Sequence, residues 1–133
     1  MFESMGLATD GDWQARALAR VTTGLAEGTV VAFVVDDPER PGRLAASAAG
    51  TVAHRLPGPR NRGGRAGYVQ YVCTEAKHRG RGLGRAVMEA LVDWYRANGV
   101  GVVELHATAD GEPLYRSMGF DEGDNPALRL PLP

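Results

Sequence analysis

The sequence contains a single cysteine, three histidines and no long hydrophobic run, and its charges nearly cancel. Cys73 has no partner for an internal disulfide, and together with three scattered histidines it does not supply a metal site. No apolar run approaches the roughly 20 residues of a membrane span, and the first ten residues do not have the pattern of a signal peptide. Fifteen basic and sixteen acidic residues leave a net charge of −1, which argues against a protein that binds nucleic acid or an anionic membrane. We therefore expect a soluble, cytoplasmic protein without a metal.

Length and composition predict one globular domain. The chain has 133 residues, of which 44% are apolar and 23% charged, the usual balance of a folded protein. This length leaves no room for a second core, so residues 1–133 are expected to form a single domain.

Hydrophobic periodicity and turn residues predict a mixed order of helices and strands. A helix over Trp13–Ala26, capped by Asp10 or Asp12, precedes strands over Thr29–Val35, Leu44–Arg55 and Gly67–Thr74. An exposed loop, residues 56–65, lies between the last two of these strands. A helix from Leu83 to Asn98, a strand over Val100–His106, a helix from Gly111 to Gly119 and an edge strand of Phe120 and Ala127–Leu130 follow. Short turns imply antiparallel hairpins and the later strand–helix–strand units imply parallel pairing, so we expect an α+β (mixed α/β) fold with helices flanking a mostly antiparallel sheet.

The most informative segment is the glycine-rich turn Arg79-Gly80-Arg81-Gly82-Leu83-Gly84-Arg85, which separates a strand from an amphipathic helix. Glycines let a ligand approach the backbone closely, and the first N–H groups of a helix have no partner within it. With the helix dipole and the arginines, these groups predict an anion site suited to a pyrophosphate.

Three interpretations of this turn compete with one another. A P-loop requires a Gly-Lys pair, which the turn does not contain. A dinucleotide fingerprint starting at Gly80 requires its third glycine where Arg85 stands, although Glu104 lies near the position of a ribose-binding acid. A purely structural turn does not need three alternating glycines interleaved with arginines.

A fourth interpretation comes from a family resemblance. Arg79-x-x-Gly82-x-Gly84 resembles the [Q/R]xxGx[G/A] motif of the GNAT superfamily of acyl-CoA-dependent N-acyltransferases. Leu114-Tyr115-Arg116-Ser117-Met118-Gly119-Phe120 is similar to the LYxxxGF ending of that family. The two motifs occur in the expected order, and the resemblance covers about residues 29–130.

The resemblance implies that acetyl-CoA lies in an opening between the strands that end near Thr74 and His106. The backbone of Val72, Cys73 and Thr74 would pair with the pantetheine arm, and a backbone donor near Val72 would polarise the thioester carbonyl. The N–H groups of the glycine-rich turn would hold the pyrophosphate; they belong to Arg79, Gly80, Arg81, Gly82, Leu83, Gly84 and Arg85. The Cys73 thiol itself is expected to be a buried strand residue rather than an acyl carrier.

The resemblance also implies that Tyr115 protonates the departing thiolate, since a phenol has an ordinary pKa of about 10. The alternative for Tyr115 is a core aromatic of a short helix. The sequence departs from the family where Tyr68 replaces a common glutamate base and where Thr108 or Ala109 replaces an asparagine. Thr108 could replace the hydrogen bond of that asparagine, which places it among the expected cofactor-binding residues. The base stays open among these candidates: Asp36, Asp37, Glu39, His106 and a water.

The family usually opens with a strand and a helix, of which Met1–Gly6 resembles at most the end of the helix. The strand over Thr29–Val35 would then have an open edge, which predicts a homodimer. The leading functional hypothesis is an N-acetyltransferase that moves acetyl from acetyl-CoA to a primary amine of a small molecule or peptide. The alternative is a non-catalytic acyl-CoA-binding or regulatory module, suggested by the missing glutamate and the short N-terminus.

Overall fold

The structure is a computed structural model that describes residues 12–133. Its helices are α1 (Trp13–Glu27), α2 (Leu83–Ala97) and α3 (Glu112–Ser117), and a short 3₁₀ helix spans Ala76–His78. Its strands are β1 (Val30–Asp36), β2 (Leu44–His54), β3 (Arg65–Thr74) and β4 (Val102–Leu105). The expected order of the helices and of the first four strands is confirmed. Most of the observed bounds lie within one or two residues of the predicted ones.

The four strands form one sheet in the order β1-β2-β3-β4. The β1–β2 and β2–β3 pairs are antiparallel, whereas β3 and β4 run parallel and are connected through α2. The mixed, mostly antiparallel sheet flanked by helices is therefore confirmed. No helix within residues 12–133 has both the length and the apolar character needed to cross a membrane.

Helix α2 covers one face of the sheet and supplies the largest fully buried side chains of the core. Its apolar stripe has a helical period, and Val87, Met88, Leu91 and Tyr95 from that stripe are buried. The Tyr95 side chain lies against Gly50 and Gly67, where any Cβ atom would overlap its hydroxyl or its ring, respectively. The hydroxyl of Tyr95 donates to the carbonyl oxygen of Thr51 at 3.0 Å. These contacts fix α2, and so the glycine-rich turn at its start, relative to the sheet.

The predicted last strand is wrong. Within the described residues, the sheet ends at β4, and residues 120–133 contain no strand. Pro126 and Pro131 bracket the apolar segment and have no N–H group to donate to a neighbouring strand. Leu128 and Leu130 are accordingly 91% and 81% exposed.

The first helix also differs from expectation in its details. Asp12 occupies the N-cap position but makes no capping hydrogen bond, and its carboxylate instead lies 3.3 Å from the guanidinium of Arg16. The apolar side of α1 is largely exposed: Leu18, Val21 and Leu25 are 69%, 40% and 51% accessible. The expectation about Met1–Gly6 and a lacking first strand falls on residues outside the described range.

Candidate active site

Strands β3 and β4 separate near the middle of β3. Their parallel pairing ends at Val69 and Leu105, while β3 continues to Thr74. The β2–β3 register shifts at Ala49 and Gly50, so that Gln70 has no counterpart on β2. Such a bulge bends a strand and increases its twist. Residues 70–74, including Val72, Cys73 and Thr74, therefore have a strand neighbour on the β2 side only among the described residues.

The glycine-rich turn follows the 3₁₀ helix and leads directly into α2. Gly80 and Gly82 adopt φ values of +78° and +77°, and the space where their Cβ atoms would stand is open. The first hydrogen bond of α2 runs from the Ala86 N–H to the Gly82 carbonyl, and no side chain caps this end. The N–H groups of Leu83, Gly84 and Arg85 thus precede the first helical hydrogen bond.

Two of the three arginines of the turn form hydrogen bonds to neighbouring elements. Arg79 donates to the Thr74 carbonyl at 3.2 Å, which holds the turn against the end of β3. Arg85 donates to the Ser117 hydroxyl at 2.6 Å and so connects α2 to α3. A Cβ atom at Gly84 would lie 3.5 Å from Thr74 Oγ1 and 3.8 Å from Leu114 Cδ2. The end of β3, the glycine-rich turn and α3 therefore meet around Gly84.

Tyr115 follows Leu114 on α3 and is half-buried, and its ring packs against the hydrophobic core. Burial raises the pKa of its phenol, so the hydroxyl stays protonated at neutral pH. The ring packs edge-on against Phe120 with centroids 6.1 Å apart and lies close to Gly111, where a Cβ atom would be 2.9 Å from the ring. Thr108 holds the start of α3, because its hydroxyl accepts a hydrogen bond from the Gly111 N–H at 3.2 Å.

The Cys73 thiol is half-buried and lies 3.3 Å from the hydroxyl of Ser47 on β2. The sequence predicted a buried thiol, whereas the structure leaves Cys73 half-buried on the part of β3 that lies beyond the pairing with β4. Within residues 12–133, no three His, Cys, Asp or Glu side chains converge on a point that could hold a metal ion.

Three of the four candidate bases lie at the β1–β2 turn, on the far side of β3 from the opening. Asp37 is 3% exposed, and its carboxylate accepts hydrogen bonds from the Glu39 N–H and from Arg40, both at 2.9 Å. Burial alone would raise the pKa of Asp37, but these hydrogen bonds, the contact with His78 and the charge of Lys77 hold it well below its ordinary value. Asp37 is therefore unsuited to accept a proton from an amine. Glu39 pairs with Lys77 at 2.8 Å, and Asp36 is exposed at the end of β1.

The sequence did not indicate the buried contact between Asp37 and His78. The Nε2 atom of His78 lies 3.3 Å from the Asp37 carboxylate, without the geometry of a hydrogen bond, and has no other partner. The opposite ring nitrogen lies 3.5 Å from the guanidinium of Arg81 in the glycine-rich turn. The contact thus connects the β1–β2 turn to the glycine-rich turn.

The fourth candidate, His106, lies at the opening itself. It follows β4 directly, and its Nδ1 atom lies 2.6 Å from the hydroxyl of Tyr68 on β3. Beside it, Glu104 forms a two-point ion pair with Arg55 at 2.8 and 3.0 Å. An open cavity of about 970 Å³ extends from Tyr68 and His106 along β4 to the C-terminal segment.

Comparisons with known proteins agree with this arrangement. A model described as the acetyltransferase (GNAT) family matches residues 4–120. The chain belongs to this family. The expected resemblance is therefore confirmed over most of the chain.

Individual GNAT relatives support the family assignment. The chain is 38% identical to glucosamine 6-phosphate N-acetyltransferase 1 of Oryza sativa subsp. japonica over 81 residues, which are 61% of this chain and 47% of the relative. The matched segment thus spans about half the length of that relative. A predicted acetyltransferase of Clostridium acetobutylicum, crystallised with acetyl-CoA, superposes with a TM-score of 0.81 at 25% identity over 95% of this chain and 79% of its own. Glucosamine-6-phosphate N-acetyltransferase of Arabidopsis thaliana shares the fold, with a TM-score of 0.74 at 21% identity over 99% and 87% of the two chains.

Proposed function

We propose that this protein is an N-acetyltransferase that moves the acetyl group of acetyl-CoA to a primary amine. The observation that carries the proposal is the separation of β3 from β4 directly beside an uncapped, glycine-rich helix start. A strand edge without a neighbour can pair with an amide-bearing pantetheine arm, and free N–H groups at a helix start attract a pyrophosphate. Membership of the GNAT family supports the same donor.

The shape of the opening fits the coenzyme. Open space at Gly80 and Gly82 leaves room for phosphate oxygens to reach the backbone, and a side chain at Gly84 would fill the gap between Thr74 and Leu114. In this proposal the turn from Arg79 to Arg85 binds the pyrophosphate, and the backbone of Val72, Cys73 and Thr74 orients the pantetheine arm. Coenzyme A supplies the activated thioester.

Tyr115 acts as the general acid in the proposed reaction. It lies on α3, where the preceding residue, Leu114, is close in space to Gly84. Its raised pKa keeps the hydroxyl protonated at neutral pH, so the proton is available for donation. It donates that proton to the sulfur as the sulfur departs, and solvent restores it afterwards.

The acceptor is a primary amine of a small molecule or peptide. We take an amino sugar phosphate as the first acceptor to test, because the rice relative is named for glucosamine 6-phosphate. The second candidate function is a non-catalytic acyl-CoA-binding module. The specific observation in its favour is that Tyr68, which cannot act as a carboxylate base, occupies the position where the family resemblance predicts a glutamate.

A thiol-release assay separates the two functions. Purified protein is incubated with acetyl-CoA and a panel of primary amines that includes glucosamine 6-phosphate, and free thiol is titrated with time. We expect thiol release that depends on one of the amines and on protein concentration. Tight coenzyme binding without amine-dependent release from any member of the panel would favour the binding module.

The proposal includes a cytoplasmic homodimer. Strand β1 is an edge of the sheet within the described residues, and Val34 on it is 52% exposed. Together with the exposed apolar side of α1, this edge gives a second copy both unpaired backbone groups and apolar surface to cover. A cytoplasmic location agrees with the intracellular supply of acetyl-CoA.

A further inference from the structure

We propose that His106 is the general base that deprotonates the acceptor amine, and that Tyr68 positions its imidazole. This inference rests on the proposed acetyltransferase function and assigns a residue for the proton step that it leaves open.

The location of His106 is the first argument. It is the first residue after β4, which borders one side of the opening. Strand β3 borders the other side with its edge from Val72 to Thr74. The residue is exposed, so an amine can reach it, and it borders the open cavity of about 970 Å³ along β4. An acceptor held in that cavity would approach the opening past His106.

The fixed orientation of the ring is the second argument. Tyr68 and His106 are 38 positions apart in the chain, yet their polar atoms are 2.6 Å apart and their rings meet edge-on at 5.7 Å. Tyr68 is itself placed by the sheet, because it lies opposite Glu104 in the β3–β4 register. An exposed histidine without such contacts would sample several rotamers, and a catalytic base needs one orientation.

The neighbouring groups are less suited to the proton step. Both carboxylate oxygens of Glu104 accept hydrogen bonds from Arg55, and this pairing lowers the pKa of Glu104. A carboxylate held in that way is a weaker base than an imidazole, whose ordinary pKa is near neutrality. Asp37 is buried among cationic groups on the far side of β3.

The hydrogen bond with Tyr68 accommodates either tautomer of His106, and the proposal uses the one that carries its proton on Nδ1. For Nε2 to accept a proton, Nδ1 must carry one, so Nδ1–H donates to the Tyr68 hydroxyl oxygen. The amine nitrogen then forms its bond to the acetyl carbon while Nε2 of His106 takes the proton that the nitrogen loses. The carbon–sulfur bond breaks, its electron pair leaves with the sulfur, and Tyr115 protonates the sulfur. The imidazolium returns its proton to solvent, and the products are an amide and a free thiol.

Other charged and titratable groups border the same cavity and would influence the pH dependence of His106. Besides Tyr68 on β3, they are Glu104 with its partner Arg55, Arg60 of the β2–β3 loop, which pairs with Asp124 at 3.0 Å, and Asp121, Glu122 and Asp124 of the C-terminal segment. The variants of His106 and His54 that test the proposal leave all of these groups in place.

The test compares His106→Ala and His106→Gln with His54→Ala, a matched control in which an exposed histidine at the end of β2 is removed. With the best amine of the panel, we expect kcat to fall about 100- to 10,000-fold in both His106 variants. The KM for acetyl-CoA should stay near the wild-type value, and added imidazole should restore part of the rate of His106→Ala only. The acidic limb of the wild-type pH–rate profile should be absent from both His106 variants and present in His54→Ala.

A second variant tests the positioning role of Tyr68. Tyr68→Phe keeps the ring contact and removes the hydroxyl, so kcat should fall by up to about tenfold. In a His106→Ala background, the same change should have almost no further effect, because the two residues act as a unit.

The inference is overturned if wild-type protein turns over an amine and His106→Ala does so at the same kcat with the same pH profile. It is equally overturned if the loss is not relieved by imidazole and acetyl-CoA binding weakens in parallel, which would indicate a structural role. Failure of the proposed function is a distinct result, since wild-type protein would then release no thiol with any amine.

Discussion

A methyl group at Gly82 should abolish acetyl-CoA binding, whereas the same change at Gly99 should not. The two glycines stand at opposite ends of α2, with φ values of +77° and +74° and nothing within 4 Å of an added Cβ. Each alanine is therefore destabilised by backbone strain alone, about 1–2 kcal/mol for an L residue in the left-handed region. For a domain of 133 residues, this should lower Tm by roughly 3–10 °C in both variants.

The ligand effect should differ between the two variants. Acetyl-CoA at 100 times its Kd stabilises a folded protein by about 2.7 kcal/mol, which corresponds to a rise in Tm of roughly 8–13 °C at this size. We expect that rise for wild-type protein and for Gly99→Ala. In Gly82→Ala the methyl group occupies the space in front of the free N–H groups, and the rise should be lost. Thermal unfolding with and without acetyl-CoA measures both effects. A full acetyl-CoA shift in Gly82→Ala would refute the assignment of the turn to the pyrophosphate.

Three further predictions concern catalysis, pH dependence and assembly. Tyr115→Phe should lower kcat about 100- to 10,000-fold and leave the acetyl-CoA thermal shift intact, and an unchanged rate in steady-state kinetics would return Tyr115 to a purely structural role. Asp37 has a folded-state pKa below its ordinary value of 3.8, so its ion pairs stabilise the fold above pH 4, and that stabilisation is lost as the pH falls. The gap in Tm between wild-type protein and Asp37→Asn should accordingly be wide at pH 7 and narrow below pH 4, and a gap that does not change with pH would contradict the ion-pair account. Light scattering at micromolar concentration should give twice the chain mass of 14.2 kDa, and a Val34→Lys variant should dissociate; a wild-type monomer would exclude the dimer.

Local signals in the sequence were sufficient to predict most of the fold. The stripe from Leu83 to Trp94 has a helical period, and the run at Thr29–Val35 has the β-branched composition of a strand. Glycine or proline lies near the ends of both segments. The glycine-rich turn was recognisable because its alternating glycines serve a backbone function that can be read from consecutive residues.

Contacts between distant residues could not be predicted in the same way. The pairs Tyr68–His106 and Asp37–His78 are each about 40 positions apart and depend on the register of β3 and β4 and on the packing of the β1–β2 turn. The prediction of a last strand was wrong because it depended on a local pattern alone, the alternating leucines at Leu128 and Leu130. A strand also requires donors for its neighbour, which the flanking prolines do not supply.

Mass spectrometry of the acceptor after incubation with acetyl-CoA tests acetyl transfer most directly. The protein, acetyl-CoA and a mixture of primary amines including glucosamine 6-phosphate are incubated together, with Tyr115→Phe as the matched control. We expect one amine to gain a single acetyl group with wild-type protein, and far less of that product with the variant. A protein that binds acetyl-CoA, as measured by its thermal shift, and leaves every amine unmodified would contradict the proposed acetyltransferase and support an acyl-CoA-binding module.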